Sequence, residues 1–331
     1  MHLHRIPVNQ NHNSQGKKNA TMWFWLLVLV GFYFLFRWYW YRQILQNLTD
    51  KYVLITGCDT GFGNQLARQL DGRGLRVLAA CLTQRGMEQL KEATTQRLQT
   101  IILDVTDTES VTAAANWVKQ QVGDRGLWGL VNNAGISLPL APNEWLMKDD
   151  FLKILNVNLL GLIDVTLSLL PLIRKAKGRI VNASSMAGRI SYTGGGSYCI
   201  SKYGVEAFSD SLRRELCSFG VKVCIIEPGT FKTFMTDPKH NEESFQKIWN
   251  RLPAEAKESY GQGFYIKYFK VIRNLEVMRN PKLTLVTDCM EHALTAVHPL
   301  TRYSTGWVAK LIYVPFSYLP TALADFLMSL M

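Results

Sequence analysis

Cysteine is sparse and carries no pattern. The six residues Cys58, Cys81, Cys199, Cys217, Cys224 and Cys289 form no CxxC pair and no metal-ligand cluster, so the sequence offers neither a disulfide framework nor a metal centre. Several sit in apolar patterns, where a free thiol behaves as a small hydrophobe, and they read as reduced thiols. Charge is also scarce, at 19% of residues against 47% hydrophobic. That balance excludes a disordered chain. Lysine and arginine total 37 against 26 acids, a formal charge of +11. Such an excess attracts anionic membranes, nucleic acids or anionic cofactors. No contiguous basic run with interleaved aromatics is present, so nucleic acid is not an expected partner. Internal repeats and low-complexity tracts are missing as well, which excludes a solenoid.

A small-residue cleavage site is missing after the one long apolar run, Met22 to Phe36. Arg37 interrupts it, and Trp38 to Tyr41 follow. Interfacial aromatics and snorkelling arginines suit a short spanning helix, so residues 22–41 read as a membrane anchor rather than a cleaved signal. Residues 1–21 form a polar tail with Arg5, Lys17 and Lys18. Basic residues flank both ends of the anchor and leave its orientation undecided. Glycosylation sequons occur at Asn19, Asn47 and Asn182, but Asn182 falls in an expected core strand.

From Lys51 short apolar runs alternate with helical patterns. Strands are expected at 52–56, 76–81, 99–103, 127–131, 178–182 and 221–226, with helices such as 62–70 and 110–122 between them. This alternation implies an α/β fold with a doubly wound parallel sheet, as one domain over 51–331. After Pro228 the alternation stops. Residues 230–283 are polar and aromatic, carrying Phe231, Phe234, Phe245, Trp249, Tyr260, Phe264, Tyr265, Tyr268 and Phe269. An excursion at this edge of an open sheet is where substrates bind, and its aromatics are expected to divide between packing a cap and meeting a ligand. Residues 307–331 are apolar, with Lys310 and Asp325 as charges. They suit a membrane surface, the sheet or a partner subunit equally.

Thr56-Gly57-Cys58-Asp59-Thr60-Gly61-Phe62-Gly63 follows the first strand and opens a helix. Glycines there let backbone approach a pyrophosphate, and the helix N-terminus supplies N–H donors. Cofactor choice usually turns on the end of the second strand, an acid for NAD or an arginine for NADP. Cys81 and Leu82 give neither signal. The glycine turn carries Asp59 and no base, which leans towards NAD and leaves NADP open.

Tyr198 and Lys202 stand at i and i+4, on one helix face. Of thirteen tyrosines only Tyr198 has this partner. A nearby ammonium is expected to lower the phenol's pKa from about 10, fitting it for proton transfer with an alcohol or ketone. Ser184 and Ser185 end the fifth strand, where a hydroxyl can meet the reacting oxygen. Asn132-Asn133-Ala134-Gly135 ends the fourth, where asparagines can tie strand ends together. Asn158 lies on the next helix, where it can hold a water towards Lys202.

Together, TGCDTGFG, NNAG, the serine, YCISK and Pro228-Gly229 resemble the short-chain dehydrogenase/reductase family in order and spacing. Further stretches, among them YCISKYGVEAFSDSLRREL and EHALTAVHPLTRYSTGW, are similar to the branch of microsomal retinol dehydrogenases and oxidative 3α/17β-hydroxysteroid dehydrogenases. The resemblance implies that Tyr198 is the proton acceptor, Lys202 the ribose-binding cation, Ser185 the group polarising the substrate oxygen, and Asn158 the fourth catalytic residue. It implies dinucleotide contacts from Gly57, Asp59, Gly61, Phe62 and Gly63, with Asp104 at the adenine, Asn132, Asn133, Ala134 and Gly135 along adenosine and ribose, and Pro228, Gly229 and Thr233 beside the nicotinamide. Ser197 stands between Gly194-Gly195-Gly196 and Tyr198, where related members often lack a residue, so the loop is expected to shift.

The implied activity is oxidation of retinol or a hydroxysteroid by NAD at the endoplasmic reticulum membrane. The partners are that lipid substrate, membrane lipid and no nucleic acid, with a homodimer left open. An NADP(H)-dependent carbonyl reductase and a membrane-bound scaffold that lost turnover are the competing readings. Intact Ser185, Tyr198 and Lys202 speak against the scaffold.

Overall fold

The computed structural model describes residues 11–274 and 279–329, so Arg5, the start of the polar tail, a short piece of the 230–283 segment and the last two residues lie outside it. The chain divides into two compact units, Met1–Ile44 with Ala296–His298, and Leu45–Thr295 with Pro299–Met331. The first contains α1 (Asn11–Arg42). Its Thr21–Arg42 part is long and apolar enough to cross a membrane, with 22 residues and no buried ones. A second stretch, Lys148–Lys175, passes the same test of length and composition. There, however, Ile154, Leu162, Val165, Leu169 and Ile173 are buried, as in a core helix.

The second unit is built on seven parallel strands: β1 (Tyr52–Thr56), β2 (Arg76–Cys81), β3 (Gln99–Ile102), β4 (Gly129–Asn132), β5 (Arg179–Ala183), β6 (Lys222–Pro228) and β7 (Arg302–Thr305). Their order is β3-β2-β1-β4-β5-β6-β7. Every residue of β1 and β5 is buried, the burial that two covered faces demand of a central parallel strand. One apolar core packs α2 (Gly61–Gly72) and α10 (Thr284–Thr295) on one face of the sheet. The other packs α4 (Thr108–Val122), α6 (Leu162–Lys175) and α7 (Gly196–Glu215) on the opposite face. The short α3 (Gln84–Glu92) joins β2 to β3, and α5 (Lys148–Leu155) leads into α6. All six thiols are free, and Asn182 is fully buried in β5.

The strand order reverses at β1 and β4. Chain leaving β1 turns towards β2, and chain leaving β4 turns towards β5, which opens a crevice beyond their carboxyl ends. A cap lies at that edge. Helices α8 (Pro238–Arg251) and α9 (Ala254–Asn274) build a third, aromatic core with Trp145. Trp145 meets Phe245, Trp249, Tyr260 and Phe264 at ring separations of 5.1–5.7 Å. Most of the aromatics expected to be shared with a ligand therefore pack one another. Phe231 packs on Phe62, and Phe234 is left exposed. Towards the C-terminus lie α11 (Val314–Phe316) and α12 (Thr321–Ser329), the latter with no buried residue.

Candidate active site

The turn after β1 has the shape its glycines allow. Gly57 and Gly61 adopt φ of +69° and +64°, where a Cβ is strained. A Cβ on Gly63 would fall 2.2 Å from the Gly57 carbonyl oxygen and 2.6 Å from Asn133 Nδ2. The turn is thus pressed tightly on itself. Beyond it, Thr60 precedes α2 without capping it by a side-chain hydrogen bond. An open helix N-terminus beside a collapsed glycine turn fits a dinucleotide pyrophosphate. Thr233 closes this end: a Cβ on Gly61 would lie 3.7 Å from Thr233 Cγ2. Phe62 points into the core.

The strand ends are stitched together by asparagines. Asn132 Nδ2 donates to Asn182 Oδ1 at 2.9 Å and to Thr166 Oγ1 at 2.8 Å. Asn133 Nδ2 donates to the Thr56 and Gly57 carbonyls at 3.0 Å. Thr56 Oγ1 accepts from the Asn133 and Ala134 amides, both at 3.0 Å. Asp59 reaches the end of β2, where its carboxylate accepts from the amides of Leu82 (2.8 Å) and Thr83 (2.9 Å) and from Thr83 Oγ1. A carboxylate brought from the glycine turn therefore stands where the second strand lacks its own acid. Asp104, just past β3, binds the Thr106 amide and hydroxyl through Oδ1. Pro228 ends β6, and the Gly229 amide donates to Thr305.

Ser185, Tyr198 and Lys202 meet at the carboxyl end of β5. Ser185 leaves the strand extended, and its Oγ accepts from the Ala187 amide at 3.1 Å, leaving its proton free to turn outward. Burial pushes the Tyr198 phenol up to about 12, against the neighbouring Ser185 hydroxyl, which favours its ionised form. Burial likewise pulls Lys202 down to about 8, with Glu206 opposing. The expected lowering of the phenol by the lysine is therefore not what this arrangement gives. Lys202 Nζ donates to the Ala183 carbonyl at 2.8 Å and stands 5.6 Å from the Tyr198 ring centre. Desolvation wins over a cation that faces elsewhere. Ser197 does not disturb the grouping. It is fully buried inside the first turn of α7 and donates to the Pro139 carbonyl at 3.4 Å.

Asn158 lies in a π-helical bulge, Asn156–Gly161, between α5 and α6. Such bulges turn a side chain off the regular helical face, frequently at functional sites. Here Asn158 is fully buried. Its Oδ1 accepts from the Ile136 amide, and its Nδ2 donates to the Ile136 carbonyl, both at 2.8 Å, and to Ser201 Oγ at 3.0 Å. Its amide thus braces the loop after β4 against α7. A Cβ on Gly135, in that loop, would lie 3.3 Å from Asn158 Oδ1 and 3.8 Å from Lys202 Nζ.

Sequence reasoning missed Ser201, whose hydroxyl donates to the Tyr198 carbonyl at 2.7 Å. It also missed Glu206, four residues beyond Lys202 on the same face, where the i+4 spacing was the available signal. Arg302, which holds Glu206, had none, because β7 itself was not anticipated.

Residues 51–244 match the family described as short chain dehydrogenase. Retinol dehydrogenase 16 of Homo sapiens is 65% identical over 287 residues, 87% of this chain and 90% of that protein. The 17-beta-hydroxysteroid dehydrogenase type 6 of Homo sapiens is 58% identical over 288 residues, 87% and 90% of the two chains. Among solved structures, a short-chain dehydrogenase from Streptomyces avermitilis superposes with a TM-score of 0.64 at 24% identity, over 84% of this chain and 93% of its own, a likeness of fold.

Proposed function

The chain belongs to the short-chain dehydrogenase family, and from that membership we propose that it oxidises a lipid alcohol, retinol or a hydroxysteroid, with NAD as hydride acceptor. The substrate class is supported by identities of 65% and 58% to a retinol dehydrogenase and a hydroxysteroid dehydrogenase. The observation that carries the chemistry is the convergence of Ser185, Tyr198 and Lys202 at the carboxyl end of β5, next to the glycine turn.

Tyr198 takes the hydroxyl proton of the alcohol. Ser185 donates to the same oxygen as negative charge develops on it. Lys202, turning from the Ala183 carbonyl towards the phenolate and the ribose, supplies the positive charge that the buried phenol needs. Asn158 keeps the Asn133–Ile136 loop and Ser201 in place around that lysine. Gly57, Gly61 and Gly63 with the start of α2 cradle the pyrophosphate, Asp104 borders the adenine, and Asn132 to Gly135, Pro228, Gly229 and Thr233 frame the rest. A nicotinamide held by these residues would supply the acceptor for the hydride leaving the carbinol carbon as its C–O bond becomes C=O. Asp59 supports NAD over NADP, because a carboxylate beside the adenosine ribose repels a 2′-phosphate.

The proposed location is the endoplasmic reticulum membrane, supported by the apolar Thr21–Arg42 helix and by the microsomal branch the sequence resembles. A substrate dissolved in lipid suits an anchored enzyme. Residues 51–331 form the catalytic domain in this reading, with 230–283 as its substrate cap.

Steady-state oxidation of all-trans-retinol and androstanediol by Tyr198→Phe tests the reading. Turnover is expected to vanish while dinucleotide binding persists. Undiminished oxidation by the variant would remove Tyr198 from the chemistry.

A further inference from the structure

Behind Lys202 lies an ionic cluster that the proposed chemistry does not use. Tyr198, Lys202 and Glu206 follow one another at i+4 along α7, so they line one face. Glu206 is buried, and its Oε2 accepts from Arg302 Nε at 3.1 Å. Arg302 comes from β7. Its Nη2 also donates to Asp210 at 2.8 Å, and its Nε stands 3.5 Å from Glu227 on β6. Glu227 is fully buried and accepts from Arg189 Nε and Ser304 Oγ, both at 2.7 Å. Arg189 closes the turn that begins at Ser185. Three acids and two arginines thus join α7, β6, β7 and the serine turn, and Lys202 is the cation next along the face.

Glu206 is the member of the cluster next to Lys202 along the face of α7. Its Oε1 is buried with no hydrogen-bond partner of full geometry among the described residues, although the neighbouring Ser184 hydroxyl favours its charged form. Ser184 Oγ donates to the Lys202 carbonyl at 3.4 Å. The serine turn packs directly on this face, since a Cβ on Gly188 would fall 2.7 Å from Ser184 Oγ, 2.9 Å from the Lys202 carbonyl and 3.0 Å from Glu206 Cγ. A buried carboxylate with spare accepting capacity, clamped by an arginine, would be a costly ornament unless its charge served a neighbour.

We propose that Glu206, clamped by Arg302, is a positioning residue that acts through Lys202: its carboxylate keeps the buried lysine in the ammonium form that the dinucleotide ribose and the Tyr198 phenolate require. The argument rests on the proposed dehydrogenase reading for the role of Lys202. Around the lysine stand Tyr198 and Glu206, one turn to either side on α7, the Ala183 carbonyl with Ser184 and Ser185 at the end of β5, and Gly135 of the loop braced by Asn158. Glu227, Arg189, Asp210 and Arg302 act at one remove through Glu206. Burial already draws Lys202 to about 8, and Glu206 is the charge opposing it. Without that charge the ammonium gives up its proton at lower pH.

The full-length chain in detergent micelles, with NADH as probe, tests this. NADH fluorescence measures binding against pH with no alcohol present, and alcohol turnover is followed separately. In the wild type NADH affinity should fall as pH rises through the Lys202 transition. In Glu206→Gln that fall should begin at lower pH, and kcat/KM at pH 9 should drop about tenfold or more, as when one partner of a buried charge pair is lost beside reacting groups. Arg302→Lys keeps the charge and loses the fork, so its profile should move the same way by less. Superimposable NADH profiles for wild type and Glu206→Gln would overturn the proposal, even if the variant melts earlier, because a merely structural role lowers the melting point and leaves the profile alone. If Glu206→Gln does not fold, Arg302→Lys decides by the same criterion. A wild type with the alkaline loss of NADH affinity but no turnover of either alcohol would sink the proposed function and leave this inference standing.

Discussion

Replacing Asn158 by leucine keeps the volume and removes three hydrogen bonds. The Ile136 amide and carbonyl lose partners at 2.8 Å, and Ser201 Oγ loses a donor at 3.0 Å. A buried polar group left unpaired costs about 1–3 kcal/mol. Ile136 is only half-buried, so its two groups recover part of that from water, and a total of about 3 kcal/mol is reasonable. At about 2–4 °C per kcal/mol for a domain near this size, the melting temperature should fall by roughly 6–12 °C. Tryptophan fluorescence of the detergent-solubilised full chain measures it. Turnover should fall further than stability explains, because the freed loop carries Gly135 against Lys202. Adding Ser201→Ala should cost little more, since the two groups share one bond and their effects are not additive. A variant melting within about 2 °C of wild type would refute the reasoning, as it would mean that the π-bulge does not hold the loop.

Asp59→Asn should raise affinity for NADP relative to NAD by about tenfold or more, since it removes a like charge from the path of the 2′-phosphate; an unchanged ratio in paired binding titrations would exclude Asp59 from cofactor choice. A chain beginning at Leu48 should leave the membrane pellet on sedimentation, because Thr21–Arg42 is lost; continued pelleting would shift anchoring to the exposed apolar residues Trp307, Leu311 and Phe326.

Strands buried on both faces were legible because they write themselves as unbroken apolar runs. The expected spans at 52–56 and 76–81 coincide with β1 and β2. The span at 127–131 begins two residues early, because Leu127 is buried and apolar but spends its amide on the Leu172 carbonyl outside the sheet. Strand β7 was invisible. Its four residues, Arg302 to Thr305, alternate half-buried and buried, and a run that short has no period to read. The pairing of Tyr198 with Lys202 was legible from spacing, whereas the choice of Ser185 over Ser184 came from the family resemblance. The direction in which Asn158 points was not legible, since a π-bulge departs from the 3.6-residue period on which the reading relied. The cap over 230–283 was anticipated, but Trp145 at its centre was not, because it lies a hundred positions before Phe245.

The misjudged tyrosine has a physical lesson that reaches the mechanism. Spacing says that a lysine is near, but not how much water either group has lost. Burial drives Tyr198 up to about 12 and Lys202 down to about 8, so both are pushed towards their neutral forms, while alcohol oxidation needs both charged. No single neighbour reverses that. Ser185 favours the phenolate from one side and Glu206 favours the ammonium from the other, each opposing the same desolvation. Because Ser185 acts on the phenol and Glu206 on the ammonium, Ser185 sets the acid limb of the pH–rate profile and Glu206 the alkaline limb, and each limb is tunable without moving the other.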